Sequence, residues 1–156
     1  YGMVAEKYRA YPFFNWFLSM TDPIWVRRSD FDRGALLRSM EILEQGEVLG
    51  LAPEGTRSRT GALQPGKPGV AFIAARAHVP IVPVGVTGTQ EMAKHFRRLQ
   101  RMRIRVVFGA PFRLPQEGRL RSEALMEATE EIMLRIARLL PPAYRGVYAA
   151  QVAEGH

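Results

Sequence analysis

Short apolar runs alternate with amphipathic patterns along most of the 156-residue chain. Residues 24–26 (Ile-Trp-Val) predict a strand. Asp30 or Asp32 can cap a helix that follows, and Gly46 is placed to end it. The apolar run at 48–52 predicts a second strand, which ends at a proline. Three apolar side chains share one face of the predicted helix: Leu36, Met40 and Leu43.

The second half of the chain continues this alternation. A helix is predicted over 69–78 and an apolar strand over 81–86, where Pro83 requires a sheet edge or an irregular point because proline cannot donate to a ladder. Residues 103–108 predict a strand with Ile104, Val106 and Phe108 on a buried face. A last helix begins at Ser122 and stops at the prolines at 141–142, with an apolar face formed by Leu125, Ile132, Ile136 and Leu139.

Strands that alternate with helices predict an α/β fold with a mostly parallel central sheet flanked by helices. The length and the ordinary balance of 47% hydrophobic and 24% charged residues suit one domain with a real core. We expect that domain over residues 1–140 and a C-terminal tail over 141–156.

Several classes of site are excluded by composition. The chain has no cysteine, so it can form neither a disulfide nor a thiolate metal site, and it has no cysteine nucleophile. Its three histidines, His78, His95 and His156, show no metal-ligand spacing, so no metal is expected. No apolar stretch of about 18 residues and no signal peptide are visible.

The net charge of +7 is concentrated in one segment. Residues 94–121 hold nine Lys or Arg against the single acid Glu117. Such a surplus attracts an anionic membrane surface, phosphates, an acidic carrier protein or nucleic acid, or it forms a solvated basic face. Phe96 and Phe108 are the only rings between 94 and 111, and no nucleic-acid-binding motif appears, so nucleic acid is not the expected partner.

The polar cluster Ala52-Pro53-Glu54-Gly55-Thr56-Arg57-Ser58 directly follows the predicted strand at 48–52. In open α/β sheets, residues at the carboxyl end of a strand face the ligand crevice. Arg28 follows the predicted strand at 24–26, so parallel strands would bring Arg28 and Arg57 to one crevice. Two guanidinium groups there would form a phosphate clamp, whereas the alternative is a solvated, charge-rich turn.

A second loop, residues 61–68, nearly matches the phosphate-loop pattern Gly-x-x-x-x-Gly-Lys-Ser/Thr. Pro68 replaces the hydroxyl that would bind magnesium, and Pro65 and Pro68 each remove a backbone N–H. An NTPase loop is therefore not expected. Lys67 still precedes a predicted helix start, where it is either a phosphate ligand or an exposed turn lysine.

Taken together, these motifs resemble the glycerolipid acyltransferases of the 1-acyl-sn-glycerol-3-phosphate acyltransferase type. The resemblance runs from about Met3 to Pro111. It rests on an arginine after the first strand, on the cluster at 53–58, on Gly61, Lys67 and Gly69, and on the motif Val-Pro-Ile-Val-Pro-Val at 79–84. Gly109-Ala110-Pro111 is similar to the late Gly-x-Pro of the family.

The resemblance implies roles for individual residues. Arg28 and Arg57 would contact the phosphate of the acceptor. Lys7 would add a third contact, displaced by one place from the lysine of the family, and Lys67 belongs to the same set. Glu54, Gly55 and Thr56 would shape the acceptor site.

The first motif of the family, Asn-His-x-x-x-x-Asp, supplies the catalytic base, and neither His78 nor His95 has an aspartate five places on. No catalytic residue is therefore assigned to this chain. Because the chain does not start with methionine, we expect an N-terminally truncated sequence, while a non-catalytic homologue would look the same.

The resemblance implies an enzyme of phospholipid biosynthesis, an O-acyltransferase. It would transfer a fatty acyl group from acyl-CoA or acyl carrier protein, as donor substrate and without a cofactor, to the hydroxyl of lysophosphatidate. A peripheral location on the cytoplasmic face of a membrane is expected, with contacts through residues 12–20 or the basic segment 94–121. A non-catalytic phospholipid-binding domain and an acyltransferase for a different lipid acceptor remain open.

Overall fold

The computed structural model describes residues 1, 3–5, 24–26, 33–56, 58, 60–89, 101, 103–115 and 121–154. The chain forms two compact units, Tyr1–Ala52 and Pro53–His156, where the composition alone suggested one domain. The sequence also predicts a basic helix near 90–101, of which residues 90–100 lie outside the described residues, as does the aromatic stretch at 12–20.

The first unit contains two short strands and one helix. Strands β1 (Met3–Ala5) and β2 (Ile24–Val26) pair in parallel, with Met3 opposite Ile24. Helix α1 (Arg33–Glu44) follows, so the predicted strand at 24–26 and the predicted helix are confirmed. Gly46 closes α1 at φ +79°, a backbone angle that glycine adopts without strain.

The buried stripe of α1 lies one residue away from the predicted one. Ala35, Ser39 and Ile42 are buried, while Leu36, Met40 and Leu43 are half-buried. The Ser39 hydroxyl can lie in this stripe because it donates to the Ala35 carbonyl at 2.7 Å. Leu49 packs against Ala35 and Ile42 and completes a small core.

The predicted strand at 48–52 is wrong. Gly50 makes a single bridge and its neighbours are not in a strand. The Gly50 N–H donates to the Tyr1 carbonyl at 2.8 Å, and the Tyr1 amino group donates to the Val48 carbonyl at 3.0 Å. The residues on either side of Gly50 belong to no strand of the described structure, and Val48 is 78% exposed.

In the second unit, two helices enclose the core. Helix α2 (Gly69–Ala77) packs against helix α3 (Ser122–Arg138), and the helices predicted for these two segments are confirmed. Alanines 71, 74 and 75 of α2 meet the larger side chains of α3. The close approach leaves Ala71, Met133 and Ala137 with no exposed surface.

Strands β3 (Val84–Thr87) and β4 (Arg105–Phe108) form an antiparallel pair, in which Val84 lies opposite Phe108. Pro83 occupies the predicted irregular point: Ile81 bridges Phe112, the chain leaves the ladder, and β3 begins at Val84. The Pro83 carbonyl accepts a hydrogen bond from the Gly109 N–H at 2.9 Å.

The predicted buried face of β4 is wrong, because Ile104, Val106 and Phe108 are 48%, 47% and 70% exposed. The opposite face of the pair is the one that turns to the protein. There, Gly85 and Val107 border a cavity of about 210 Å³ closed by residues 139–141. Among the described strands, one pair is parallel and one antiparallel, so the predicted mostly parallel central sheet is not confirmed.

The end of the chain, where a tail was expected, is folded through Glu154. Two 3-10 helices, Pro142–Tyr144 and Gly146–Tyr148, lead into helix α4 (Ala149–Glu154). Tyr148 and Val152 are buried in the core of the second unit. Burial of these two side chains is what keeps the segment on the domain.

Candidate functional site

Four of the seven predicted binding residues lie in the described part of the chain: Glu54, Gly55, Thr56 and Lys67. All four belong to the second unit. The other three, Lys7, Arg28 and Arg57, lie outside the described residues. The predicted juxtaposition of Arg28 and Arg57 therefore stays a prediction.

Lys67 lies against Gly55, although twelve positions separate them in the sequence. The Lys67 N–H donates to the Pro53 carbonyl at 2.8 Å, which joins the second loop to the motif at 53–58. A Cβ atom on Gly55 would lie 3.0 Å from Lys67 Cδ and 3.4 Å from Nζ. Gly55 also has φ +63°, so the absent side chain gives both the turn and the room for the lysine.

Glu54 joins the same two loops through its side chain. Its Oε2 atom accepts a hydrogen bond from the Gln64 N–H at 3.0 Å. Burial raises the pKa of the Glu54 carboxyl above its ordinary value, and the hydrogen bond from Gln64 opposes part of that rise. Glu54 thus joins the two loops of the candidate site. Of the four site residues in the described part of the chain, Lys67 is the one with a positive charge.

Thr56 is exposed on the outer side of the motif. Beyond it, the Ser58 and Thr60 hydroxyls lie 3.2 Å apart, and Thr60 Oγ1 accepts a hydrogen bond from the Ala62 N–H at 3.4 Å. These contacts order the turn that leads from the motif to the second loop.

The second loop does not present its backbone as a phosphate cradle. The N–H groups of Leu63, Gln64, Gly66 and Lys67 all donate to acceptors of the protein itself. A phosphate loop needs such N–H groups to point at the ligand, so the rejection of an NTPase loop agrees with this geometry. Anion binding here depends on the Lys67 side chain and on what flanks it.

Sequence reasoning missed the residues that hold this loop. The Gly66 N–H donates to the Tyr148 hydroxyl at 2.9 Å, across 82 positions. The Leu63 N–H donates to the Tyr144 carbonyl at 3.0 Å. The sequence shows two tyrosines near the end of the chain, Tyr144 and Tyr148, but their spacing does not indicate that they contact the second loop.

The raised pKa of Glu54 predicts a pH dependence of stability. Because the folded carboxyl binds its proton more tightly than the unfolded one, stability falls as pH rises from the ordinary value near 4.5 through the raised value. Glu54→Gln keeps an oxygen that can accept from Gln64 and removes this titration. We expect urea unfolding to show the parent losing stability relative to Glu54→Gln as the pH is raised above the ordinary carboxyl value of 4.5. Parallel stability curves for the two proteins would contradict the burial of this carboxyl.

The described residues contain no group of three or more His, Cys, Asp or Glu side chains placed to hold a metal ion. None of the helices described is both long and apolar enough to cross a membrane.

Comparison with known proteins places these motifs in a family. The acyltransferase family model matches residues 1–87, more than half of the chain. A chloroplastic 1-acyl-sn-glycerol-3-phosphate acyltransferase, BAT2 of Brassica napus, is 39% identical over 80 residues, which are 50% of this chain and 23% of that protein. The 1-acyl-sn-glycerol-3-phosphate acyltransferase alpha of Ovis aries is 32% identical over 108 residues, 67% of this chain and 37% of that protein. The chain thus spans well under half the length of these relatives.

A solved structure shares the fold. The crystal structure of the 1-acyl-sn-glycerophosphate acyltransferase PlsC from Thermotoga maritima aligns with a TM-score of 0.57 and 24% identity, over 84% of this chain and 52% of PlsC. The fold is therefore that of a glycerolipid acyltransferase, and by the match over residues 1–87 the chain belongs to the acyltransferase family.

Proposed function

We propose that this chain forms the acceptor-binding part of an O-acyltransferase of phospholipid synthesis, which transfers a fatty acyl group to the hydroxyl of lysophosphatidate. One observation carries the proposal: Glu54, Gly55 and Lys67 meet at the point where the motif at 53–58 joins the second loop. The name shared by the relatives, 1-acyl-sn-glycerol-3-phosphate acyltransferase, supports the choice of acceptor.

In this proposal, Lys67 holds the phosphate of the acceptor. Its ammonium group lies beside a glycine, so a phosphate can approach without meeting a side chain at position 55. Arg57 and Arg28 add guanidinium donors, which match phosphate oxygens in a planar fork. Lys7 and Thr56 belong to the same proposed set.

In the proposed reaction, these residues contribute by positioning the acceptor. Fixing the phosphate limits where the acceptor hydroxyl can lie, and orientation of this kind can lower a barrier by several kcal/mol, with about 7 to 11 kcal/mol as the upper bound. The hydroxyl attacks the thioester carbonyl of the acyl donor, its proton passes to a base, and the thiolate leaves with a proton. The family uses a histidine held by an aspartate five residues on, and the 156 residues contain no such pair.

The remaining partners are proposed on charge and chemistry. The donor is acyl-CoA or acyl carrier protein, both of which carry anionic groups that suit the basic segment 94–121. The same segment suits the anionic surface of a membrane on its cytoplasmic face. A mostly parallel central sheet also belongs to this proposal, because it would align strand ends around one crevice.

A panel of acceptors tests the proposal. We expect isothermal calorimetry to show that the chain binds a short-chain lysophosphatidate, below its micelle concentration, more tightly than the monoacylglycerol of the same chain length. Glycerol 3-phosphate, which has the phosphate without the acyl chain, separates recognition of the headgroup from recognition of the chain. Equal affinity for lysophosphatidate and monoacylglycerol would overturn the proposal. If glycerol 3-phosphate binds most tightly of the three, the acceptor would be glycerol 3-phosphate and not lysophosphatidate.

A further inference from the structure

The two 3-10 helices near the end of the chain bind the loop that carries Lys67. The Leu63 N–H donates to the Tyr144 carbonyl at 3.0 Å, and the Val147 N–H donates back to the Leu63 carbonyl at 3.3 Å. The Gly66 N–H donates to the Tyr148 hydroxyl at 2.9 Å. Three hydrogen bonds therefore fix the loop to the segment at 142–148.

Two glycines at this junction have no room for a side chain. A Cβ atom on Gly146, which has φ +53°, would lie 1.9 Å from the Leu63 carbonyl oxygen. A Cβ atom on Gly66 would lie 2.6 Å from Met133 Cγ of helix α3. The loop is thus seated on α3 and on the 142–148 segment at contact distance, closer than a side chain would permit.

The opposite side of the loop is attached to the motif at 53–58. Glu54 accepts from the Gln64 N–H, and the Pro53 carbonyl accepts from the Lys67 N–H. Gly66, the neighbour of Lys67, is the point at which the core reaches the loop. The hydrogen bond from Gly66 to Tyr148 ties the residue next to Lys67 to the core, while the bond from Lys67 to Pro53 ties Lys67 to the motif.

Tyr148 has the burial of a core residue and the hydrogen bond of a site residue. Its ring is 7% exposed and belongs to the cluster formed by α2 and α3. A buried phenol needs a polar partner, and here that partner is the loop backbone next to Lys67. We infer that Tyr148 is a positioning residue of the phosphate-acceptor site, whose hydroxyl holds Lys67 in place against Gly55. The inference rests on the proposed function.

Tyr148→Phe tests the role of the hydroxyl, because it keeps the ring in the core and removes the acceptor. Loss of one neutral hydrogen bond predicts roughly 3- to 10-fold weaker binding of short-chain lysophosphatidate, at a temperature where circular dichroism shows both proteins fully folded. A role confined to the core would lower the melting temperature and leave this affinity unchanged. The backbone amide resonances of Gly66 and Lys67 should also shift in the ligand-free variant.

Tyr1→Phe is the control, since it removes the hydroxyl of a tyrosine that is 39% exposed and belongs to the first unit. We expect it to bind lysophosphatidate as the parent does. Gly146→Ala approaches the same loop with Tyr148 intact, and its Cβ atom must displace Leu63. Weakened binding in Gly146→Ala supports the inference independently, including when Tyr148→Phe does not fold.

The results separate this inference from the proposed function. A parent that binds lysophosphatidate no better than monoacylglycerol overturns both. A parent that prefers lysophosphatidate, together with a folded Tyr148→Phe variant of unchanged affinity, overturns only the role of Tyr148. Equal weakening in Tyr148→Phe and in Tyr1→Phe also overturns it, because the effect would then not belong to the hydroxyl at 148.

Discussion

Met133→Ala should lower the free energy of unfolding by about 2 to 5 kcal/mol. The Met133 side chain has no exposed surface and lies on α3, where it faces the alanines of α2. Truncation leaves a cavity, because alanine side chains opposite cannot extend to fill it. Met133 also lies directly under Gly66, so the cavity opens below the loop that carries Lys67.

Urea or thermal unfolding, followed by circular dichroism, measures this loss. Met126→Ala is the matched control, since Met126 is on the same helix and 69% exposed. Its effect should stay within about 0.5 kcal/mol. A loss as small in Met133→Ala would mean that the packing of α2 on α3 does not stabilise the second unit.

The three longer helices, α1 to α3, could be predicted from sequence, because apolar periodicity coincides with residues that begin or end a helix. Helix α1 has an apolar period and a glycine at its end, and α3 has a long apolar face followed by two prolines. The interruption of the ladder at Pro83 was also predictable, because proline lacks the N–H that a ladder requires.

The strands could be predicted less well, because a short apolar run does not say what covers it. The run at 48–52 is apolar but pairs with Tyr1 and forms no ladder. The alternation at 103–108 gave the correct strand and the wrong face, since Gly85 beside Val107 lets Leu139 and Leu140 approach the other side. Helix α4 has six residues, too few for a periodic signal, and its place in the core depends on Tyr148 and Val152.

The residues of the candidate site could be proposed from the sequence, whereas the contacts between them could not. Glu54, Gly55 and Lys67 could be proposed as site residues from residue types and spacing in the sequence itself. Their contacts were not predictable: the bond from Gln64 to Glu54 spans ten positions, and the bond from Gly66 to Tyr148 spans 82. Such partners are set by tertiary packing, which one sequence does not record.

Lys67→Met should weaken binding of lysophosphatidate about tenfold, the low end for a charge-assisted hydrogen bond, because the lysine is exposed and water screens its charge. Methionine keeps an unbranched stem to lie over Gly55, so the loops should stay joined through Pro53 and Glu54. Binding of the neutral monoacylglycerol should not change. Arg76→Met is the matched control, because it removes an exposed positive charge from the last turn of α2.

Calorimetric titration of the parent, Lys67→Met and Arg76→Met with lysophosphatidate and with monoacylglycerol shows whether Lys67 binds the phosphate. We expect the parent and Arg76→Met both to prefer lysophosphatidate, and Lys67→Met to lose about tenfold of that preference. An unchanged preference in Lys67→Met, or an equal loss in Arg76→Met, would contradict a phosphate-acceptor site at Lys67.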